Sequence, residues 1–238
     1  MAPSDPERDP HREKAGASPF NRTVQHDAKR AAILAEAARL FNTRGARATT
    51  LLDIAQALGL TKTSLYYYVK TKEDLVYQCY RSSIELISSD LEKIARSKGS
   101  GLDKIIANIR HHFAFNHAVR TGQRPHTAVP LEIASLKDEY RSDIEQRYIG
   151  VFKQLREFVR EGIADGSIDH RAEPVATTIA LLGTQEWLFH WQYKTSADDI
   201  EHITDAAVDL VRHGLAAAPG WHQPIALKAM GEIGRAHV

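Results

Sequence analysis

Apolar residues recur at helical spacing along most of this chain. Between residues 28 and 41 they follow the period of an amphipathic helix, and Gly45 supplies a stop signal. The same spacing predicts further helices at about 102–118, 131–135, 137–164, 173–193 and 197–215. No segment alternates with the two-residue period of a strand, so the pattern predicts an all-α fold.

Three helix starts follow one another closely after the first predicted helix. Thr50 and Thr71 are each followed three residues later by aspartate, which is the capping-box spacing, and Thr61 is a further N-cap. Gly59 ends the helix that opens at Thr50, so two short helices are joined by a tight turn. This arrangement is typical of a DNA-binding helix-turn-helix, in which the second helix, here 62–68, lies in the major groove.

The predicted second helix and its surroundings have a composition that suits DNA. Lysine, hydroxyl and tyrosine side chains can contact phosphates and base edges, while Leu65 and Val69 hold the helix on the core. Residues 26–81 carry nine basic and five acidic side chains, a net +4, whereas residues 82–238 carry 18 and 21. A basic head on a slightly acidic body favours a polyanionic partner for the head alone.

The stretch from Ala32 to Leu75 resembles the DNA-binding domain of the TetR family of bacterial transcriptional regulators. The matching positions are Ala37, Phe41, Gly45, Thr49, Thr50, Asp53, Ile54, Ala55, Gly59, Leu65, Tyr66, Tyr68, Lys70, Lys72 and Leu75. The residues expected to bind double-stranded DNA are Thr50, Lys62, Thr63, Ser64, Tyr66, Tyr67 and Lys72.

The resemblance also implies how these side chains divide the work. Thr50 and Lys72 would touch phosphate, while Thr63 and Ser64 would face bases. The tyrosines at 66 and 67 would touch the backbone or thymine methyl groups, and Tyr68 is expected to be core. Thr63, Tyr67 and Leu52 depart from the family's usual glycine, histidine and polar residue, so the operator sequence is not predicted.

Two predicted helices near the C-terminus carry stripes suited to a homodimer. Helix 173–193 places small residues and tryptophans on one face, and helix 197–215 places aliphatic residues on one face. A four-helix interface would use Gly183, Trp187, Trp191, Ile203, Ala207 and Leu210. The alternative is that these stripes pack only within the monomer. A dimer would space two recognition helices about one turn of DNA apart, as a palindromic operator requires.

Residues 82–215 resemble the regulatory domain of the same family less specifically. The segment 180–192 is similar to a helix in members that control fatty-acid and steroid breakdown and respond to acyl-CoA thioesters. The implied partner is a small apolar or acyl-CoA-like effector. A pocket for it is predicted from Ile109, Phe113, Phe115, Phe152, Leu155 and Leu188, and the alternative is that most of these residues are plain core.

The sequence thus divides into four parts. Residues 1–25 are rich in proline and mixed charge and are expected to be a disordered arm, followed by a helix-turn-helix DNA-binding domain at 26–75. Residues 76–217 are expected to form a helical ligand-binding and dimerisation domain, and 218–238 an irregular tail. Residues 232–238 match the translation of a common sequencing adapter, which suggests the hypothesis that they are an artefact.

Several function classes are disfavoured by what the sequence lacks. There is no nucleophile elbow, phosphate-binding glycine loop or histidine set at metal-ligand spacing, so we expect no enzyme, catalytic residue, metal or cofactor. His111, His112 and His117 lack an i, i+4 pair. The single cysteine, Cys79, is expected to serve buried packing, and no apolar run could cross a membrane, so we expect a cytoplasmic protein without a membrane partner. A DNA-binding activator or architectural protein, and a regulator that merely dimerises, are the remaining alternatives.

Overall fold

The computed structural model describes residues 19–129, 133–191 and 196–215, and all regular structure within these ranges is helical. A short 3-10 turn, Ile133–Ser135, precedes the sixth helix. The helices are α1 (Pro19–Arg44), α2 (Leu51–Ala57), α3 (Lys62–Tyr66), α4 (Lys72–Ala95), α5 (Gly101–Arg120), α6 (Asp138–Asp165), α7 (Pro174–Trp191) and α8 (Ala197–Leu215). The predicted all-α class is confirmed. We call α1–α3 the head and α5–α8 the body, with α4 joining them.

The first helix begins earlier than its apolar pattern indicates. It starts at Pro19, so residues 19–25 are helical, which corrects the prediction that the whole of 1–25 is a disordered arm. Proline is well suited to the first helical position, because its missing N–H needs no partner there. The remainder of the predicted arm and the whole predicted tail at 218–238 lie outside the described residues.

Hydroxyl caps define the short helices of the head, as predicted. The Thr50 hydroxyl accepts from the Asp53 N–H at 3.1 Å, and the Asp53 carboxylate accepts from the Thr50 N–H at 2.7 Å. The Thr50 hydroxyl, which also donates to this carboxylate, and the Thr50 N–H lower the pKa of Asp53. At the start of α3 the Thr61 hydroxyl accepts from the Ser64 N–H at 3.1 Å. Gly59 adopts a φ of +65°, a conformation that glycine reaches without strain, and so allows the tight turn between α2 and α3.

The head closes over a small core at its junction with α4. Ala37 of α1, Ile54 of α2 and Leu65 of α3 are fully buried. Cys79 of α4 is buried beside α1, with its sulfur 3.6 Å from the Leu34 carbonyl oxygen, and burial raises the pKa of its thiol. The prediction that Cys79 serves packing is therefore confirmed, and the head is built directly onto the first turns of α4.

The body is centred on α6, which packs against α4, α5 and α7, while α8 packs on α5. Where α5 begins, its first residue, Gly101, lies directly against Gly162 of α6. A Cβ atom at position 101 would overlap the backbone of Gly162 and Phe158. The Gly101 N–H donates to the Asp165 carboxylate at 2.8 Å, which fixes this end of α5 on the last turn of α6.

The connection between α5 and α6 is attached at two points, to α1 of the head and to the start of α4. Near its middle, the Asn42 amide of α1 donates to the Thr127 carbonyl at 2.8 Å and accepts from the Val129 N–H at 3.0 Å. Near its end, the Glu73 carboxylate at the start of α4 accepts from the Lys137 N–H at 2.8 Å. We call these two attachments the head–body clasp. It links α1 and the start of α4 to the segment that leads into α6.

Candidate functional site

The outer face of α3 presents polar and aromatic side chains to solvent. Although both carry large rings, Tyr67 is 75% exposed and Tyr66 is 47% exposed. Leu65, on the inner side of the helix, is 0% exposed. The inward and outward faces of α3 that the sequence predicts therefore agree with the structure. The exposed residues on this surface are Lys62, Thr63, Ser64, Tyr66 and Tyr67. We call them the α3 face.

The aromatic part of the α3 face is supported from α1. Tyr67 and Tyr68 meet edge to face with ring centroids 5.1 Å apart, and His26 of α1 lies 5.0 Å from the Tyr68 ring. Tyr68 itself is half-buried and packs on the core, in keeping with its predicted role. The Lys62 ammonium lies 5.8 Å from the Tyr66 ring centroid. These contacts orient Tyr66 and Tyr67 without burying them.

Two predicted DNA contacts already use their hydroxyl groups within the protein. The Thr50 hydroxyl donates to the Asp53 carboxylate at 2.7 Å, and the Thr50 N–H bonds to the same carboxylate. Both donors of Thr50 are thus occupied by the cap. The Ser64 hydroxyl lies 2.8 Å from the Thr61 hydroxyl, but Ser64 is exposed and a hydroxyl has further hydrogen-bonding capacity.

Lys72 lies at the start of α4 beside the loop that follows α1. Its ammonium donates to the Arg47 carbonyl at 2.9 Å, which leaves two N–H donors for other partners. The same residues line a cleft of about 450 Å³ between the head and the start of the body, with Leu136 on its far side. None of the predicted effector residues lines this cleft.

The predicted effector residues lie within the body at different depths. Ile109, Phe113 and Leu155 are fully buried, while Phe115 and Phe152 are half-buried. Arginine guanidinium groups cover both half-buried rings, Arg124 at 5.3 Å from Phe115 and Arg156 at 5.7 Å from Phe152. The side chain of Leu188 lies outside the described residues. The pocket stays a prediction.

The residues predicted to form the dimer interface differ in their exposure. Gly183 of α7 and Leu210 of α8 are exposed, and Ile179 of α7 adds a further exposed aliphatic side chain. Ile203 is half-buried and Ala207 is buried, and both pack against the core of their own protomer. The side chains of Trp187 and Trp191 lie outside the described residues.

Sequence reasoning gave no role to three polar residues of the body. Asn108, His112 and Asn116 of α5 each carry a buried nitrogen atom. Their four-residue spacing is visible in the sequence, but their burial is a property of the packed helices.

Among the described residues, no helix is long and apolar enough to span a bilayer.

Two family models match the chain, and they divide it as the structure does. The model described as bacterial regulatory proteins, tetR family, matches residues 33–79. The model described as tetracyclin repressor-like, C-terminal domain, matches residues 99–215. The first range covers most of the head and the start of α4, and the second covers the body.

Several transcriptional regulators and solved structures are also similar to this chain. The transcriptional repressor KstR2 of Mycolicibacterium smegmatis is 30% identical over 148 residues, covering 60% of this chain and 69% of the relative. KstR2 of Rhodococcus jostii is 25% identical over 208 residues, covering 84% and 97%. The crystal structure of AibR with isovaleryl coenzyme A and operator DNA has a TM-score of 0.62 at 24% identity, covering 76% of this chain and 97% of AibR.

Proposed function

Because the chain belongs to the TetR family of bacterial transcriptional regulators, we propose that it is a repressor that binds a palindromic operator as a homodimer and is released by a small effector. The observation that carries this proposal is the exposed α3 face on a basic head. A short helix that exposes two tyrosines and three polar side chains is suited to a DNA groove. The role is regulatory and not enzymatic, and it is performed in the cytoplasm.

The α3 face would lie in the major groove of the operator. Thr63 and Ser64 are placed to meet base edges, and the Tyr66 and Tyr67 rings to meet the sugar–phosphate backbone or thymine methyl groups. Lys72, at the N-terminus of α4, would reach phosphate with the donors that Arg47 leaves unused. Thr50 contributes by fixing α2, because its cap occupies both of its donors.

A second copy of the chain would dock on the exposed parts of α7 and α8. Gly183 permits close approach of two helices, and the exposed side chains of Ile179 and Leu210 offer aliphatic area. Two helices from each protomer would form a four-helix interface. The pair of α3 faces would then reach half-sites about one helical turn apart.

Release would follow from a shift between two arrangements of the dimer. The effector would favour an arrangement in which the two α3 faces are spaced wrongly for the operator, and it acts only through its difference in affinity for the two arrangements. Coupling of about 1–3 kcal/mol would give about 5–150-fold weaker DNA binding. α4 and the head–body clasp are the physical links along which such a change would pass.

An acyl-CoA thioester is the effector class that we propose. Support comes from the similarity of segment 180–192 to a helix of acyl-CoA-responsive members of the family. AibR binds isovaleryl coenzyme A, and its likeness to this chain supports a shared fold. The half-buried Phe115 and Phe152, each beside an arginine, offer apolar and cationic surface together.

A gel-shift titration tests the proposal as a whole. The full chain is titrated onto the DNA upstream of its own gene, with and without a panel of acyl-CoA esters. Saturable binding that one ester reverses is expected. Binding that no ester reverses would contradict the effector class, and absence of any sequence-dependent binding would contradict the repressor itself.

Replacing Lys72 by alanine is expected to weaken binding to all DNA sequences alike. Loss of one phosphate contact should reduce the slope of log affinity against log salt concentration by about one. Lys153→Ala, which removes the same charge from the exposed side of α6, is the matched control and should leave the slope unchanged. An unchanged slope in Lys72→Ala would contradict the phosphate contact.

Replacing Ser64 by alanine is expected to change which operator sequence is preferred. A base contact contributes to discrimination between bases, by about 1–3 kcal/mol for a well-formed pair, so its loss should relax selectivity at one position of each half-site. Selection from a randomised DNA pool measures this, with Ser82→Ala on the exposed side of α4 as the control. If Ser64→Ala selects the same sequence as the unaltered chain, α3 is not the reading element.

A further inference from the structure

A row of polar side chains runs along the inner part of α5. Asn108, His112 and Asn116 are spaced four residues apart and therefore share one face of the helix. In the part of the chain that the structure describes, no hydrogen-bond partner meets Asn108 Nδ2, His112 Nε2 or Asn116 Nδ2, although all three atoms are buried. Unsatisfied buried polar groups reduce stability, so three in one row call for a partner that the protomer lacks. We call these residues the α5 polar row.

The row faces the region where three helices of the body meet. Gly101 lies against Gly162, and Lys104, further along α5, reaches Glu161 and the Phe158 ring, which come earlier in α6, so the two helices run antiparallel. Because both rise equally per residue, His112, eleven residues after Gly101, lies level with Val151, eleven residues before Gly162. The backbone of Gln185 in α7 partly offsets the lowering of the His112 pKa, so the ring lies close to that helix. The row is therefore level with Phe152 and its neighbours on α6, close to the predicted effector residues.

The His112 ring has a defined hydrogen-bonding character. Burial lowers the pKa of His112 to about 4, so the ring is neutral at pH 7 and carries a single N–H. The nearby Gln185 backbone acts in the opposite direction and favours the protonated ring, as a carbonyl oxygen beside an N–H does, which places the N–H on the side of α7. Nε2 is then left as a bare acceptor, between two asparagine amides whose free nitrogens are donors.

A hydroxyl group matches this donor–acceptor–donor order better than other common functional groups do. A hydroxyl can donate to His112 Nε2 and accept from an asparagine N–H at the same time. A ketone or carboxylate oxygen can satisfy the amides but leaves Nε2 facing another lone pair. A plain alkyl chain satisfies none of the three groups.

We propose that the α5 polar row binds a hydroxyl group on an otherwise apolar effector. The inference rests on the proposed function, since it assigns a chemical feature to the effector of the same body. It predicts that, among esters of equal chain length, the protein prefers those that carry a hydroxyl group. A site built to pair with a hydroxyl rejects the analogue that lacks it, because its own polar groups then stay unpaired.

The first test is release of operator DNA by four matched esters: octanoyl-CoA, 3-hydroxyoctanoyl-CoA, 8-hydroxyoctanoyl-CoA and 3-oxooctanoyl-CoA. One hydroxy ester is expected to release DNA at a concentration about tenfold or more below those of the octanoyl and 3-oxo esters. Equal release by all four, or preference for the octanoyl or 3-oxo ester, would overturn the inference. Release by none would contradict the proposed effector class, and the next measurement would then decide the row alone.

The second test makes the same substitution at three asparagines and measures thermal unfolding without any ligand. Asn108→Leu replaces an amide whose buried nitrogen has no partner by an apolar group of similar size, so the midpoint of thermal unfolding should rise by about 2–4 °C. In the ester series, the same variant should lose the preference for a hydroxy ester. Asn42→Leu removes two formed hydrogen bonds of the clasp, so its midpoint should fall. Asn116→Leu is the second variant of the row. If both row variants lower the midpoint as Asn42→Leu does, their amides are satisfied in the free protein and the inference is wrong.

Discussion

Replacing Gly101 by alanine is expected to destabilise the chain by about 3 kcal/mol or more. The added methyl group would occupy the space of the Gly162 and Phe158 backbone, and backbone cannot rotate away as a side chain can. α5 would have to separate from α6 at the end where Asp165 fixes it. The midpoint of thermal unfolding, measured by circular dichroism at fixed protein concentration, should fall by about 6–12 °C.

The matched control for this change is Gly150→Ala in α6. Gly150 is exposed in the middle of a helix, and a Cβ atom there meets no atom within 4 Å. Alanine favours a helix interior by about 0.5–1 kcal/mol over glycine, so Gly150→Ala should raise the midpoint slightly. A Gly101→Ala chain that unfolds at the same temperature as the unaltered chain would show that α5 and α6 do not pack this closely.

Replacing Leu65 by alanine is expected to cost about 2–5 kcal/mol and to abolish operator binding. Leu65 is 0% exposed and is the buried residue of α3, so truncating it leaves a cavity under the helix that carries the α3 face. Both unfolding by urea and the gel-shift titration should detect the change. Loss of stability alone, with operator affinity retained in the folded fraction, would contradict the placement of the DNA contacts on α3.

Leu52→Ala in the same head is the control for Leu65→Ala. Leu52 is 48% exposed on α2, so the same truncation removes little buried area and should change the free energy of unfolding by only about 0.5 kcal/mol. An equal cost at both positions would mean that the head core is not arranged as described.

The features that the sequence predicted well are those set by short-range chemistry. α2, α3 and α4 begin directly after Thr50, Thr61 and Thr71, because each of these N-cap hydroxyls satisfies an N–H group three residues ahead. Local spacing also separated Leu65 from the exposed residues around it. The outward face of α3 can therefore be assigned from the order of its residues alone.

The features that it did not predict depend on partners far along the chain. Asn42 and Thr127 are 85 residues apart, and no local pattern indicates that they bond. Periodicity likewise cannot tell whether an apolar stripe faces its own protomer or a second one. In α8 it grouped Ala207, which is buried, with Leu210, which is exposed. The α5 polar row was not predicted for the same reason, because the burial of its side chains depends on the helices that cover it.

The head–body clasp limits how freely the two halves of this chain could be recombined. Asn42 is a residue of the head, but its partners, Thr127 and Val129, belong to the segment between two helices of the body. A chimera that joined this head to a different body would keep α3 and lose the attachment along which we propose that effector binding is transmitted. We therefore expect such a fusion to bind operator DNA whether or not the effector is present. Modular exchange that preserves induction must therefore carry the asparagine and its backbone partners together.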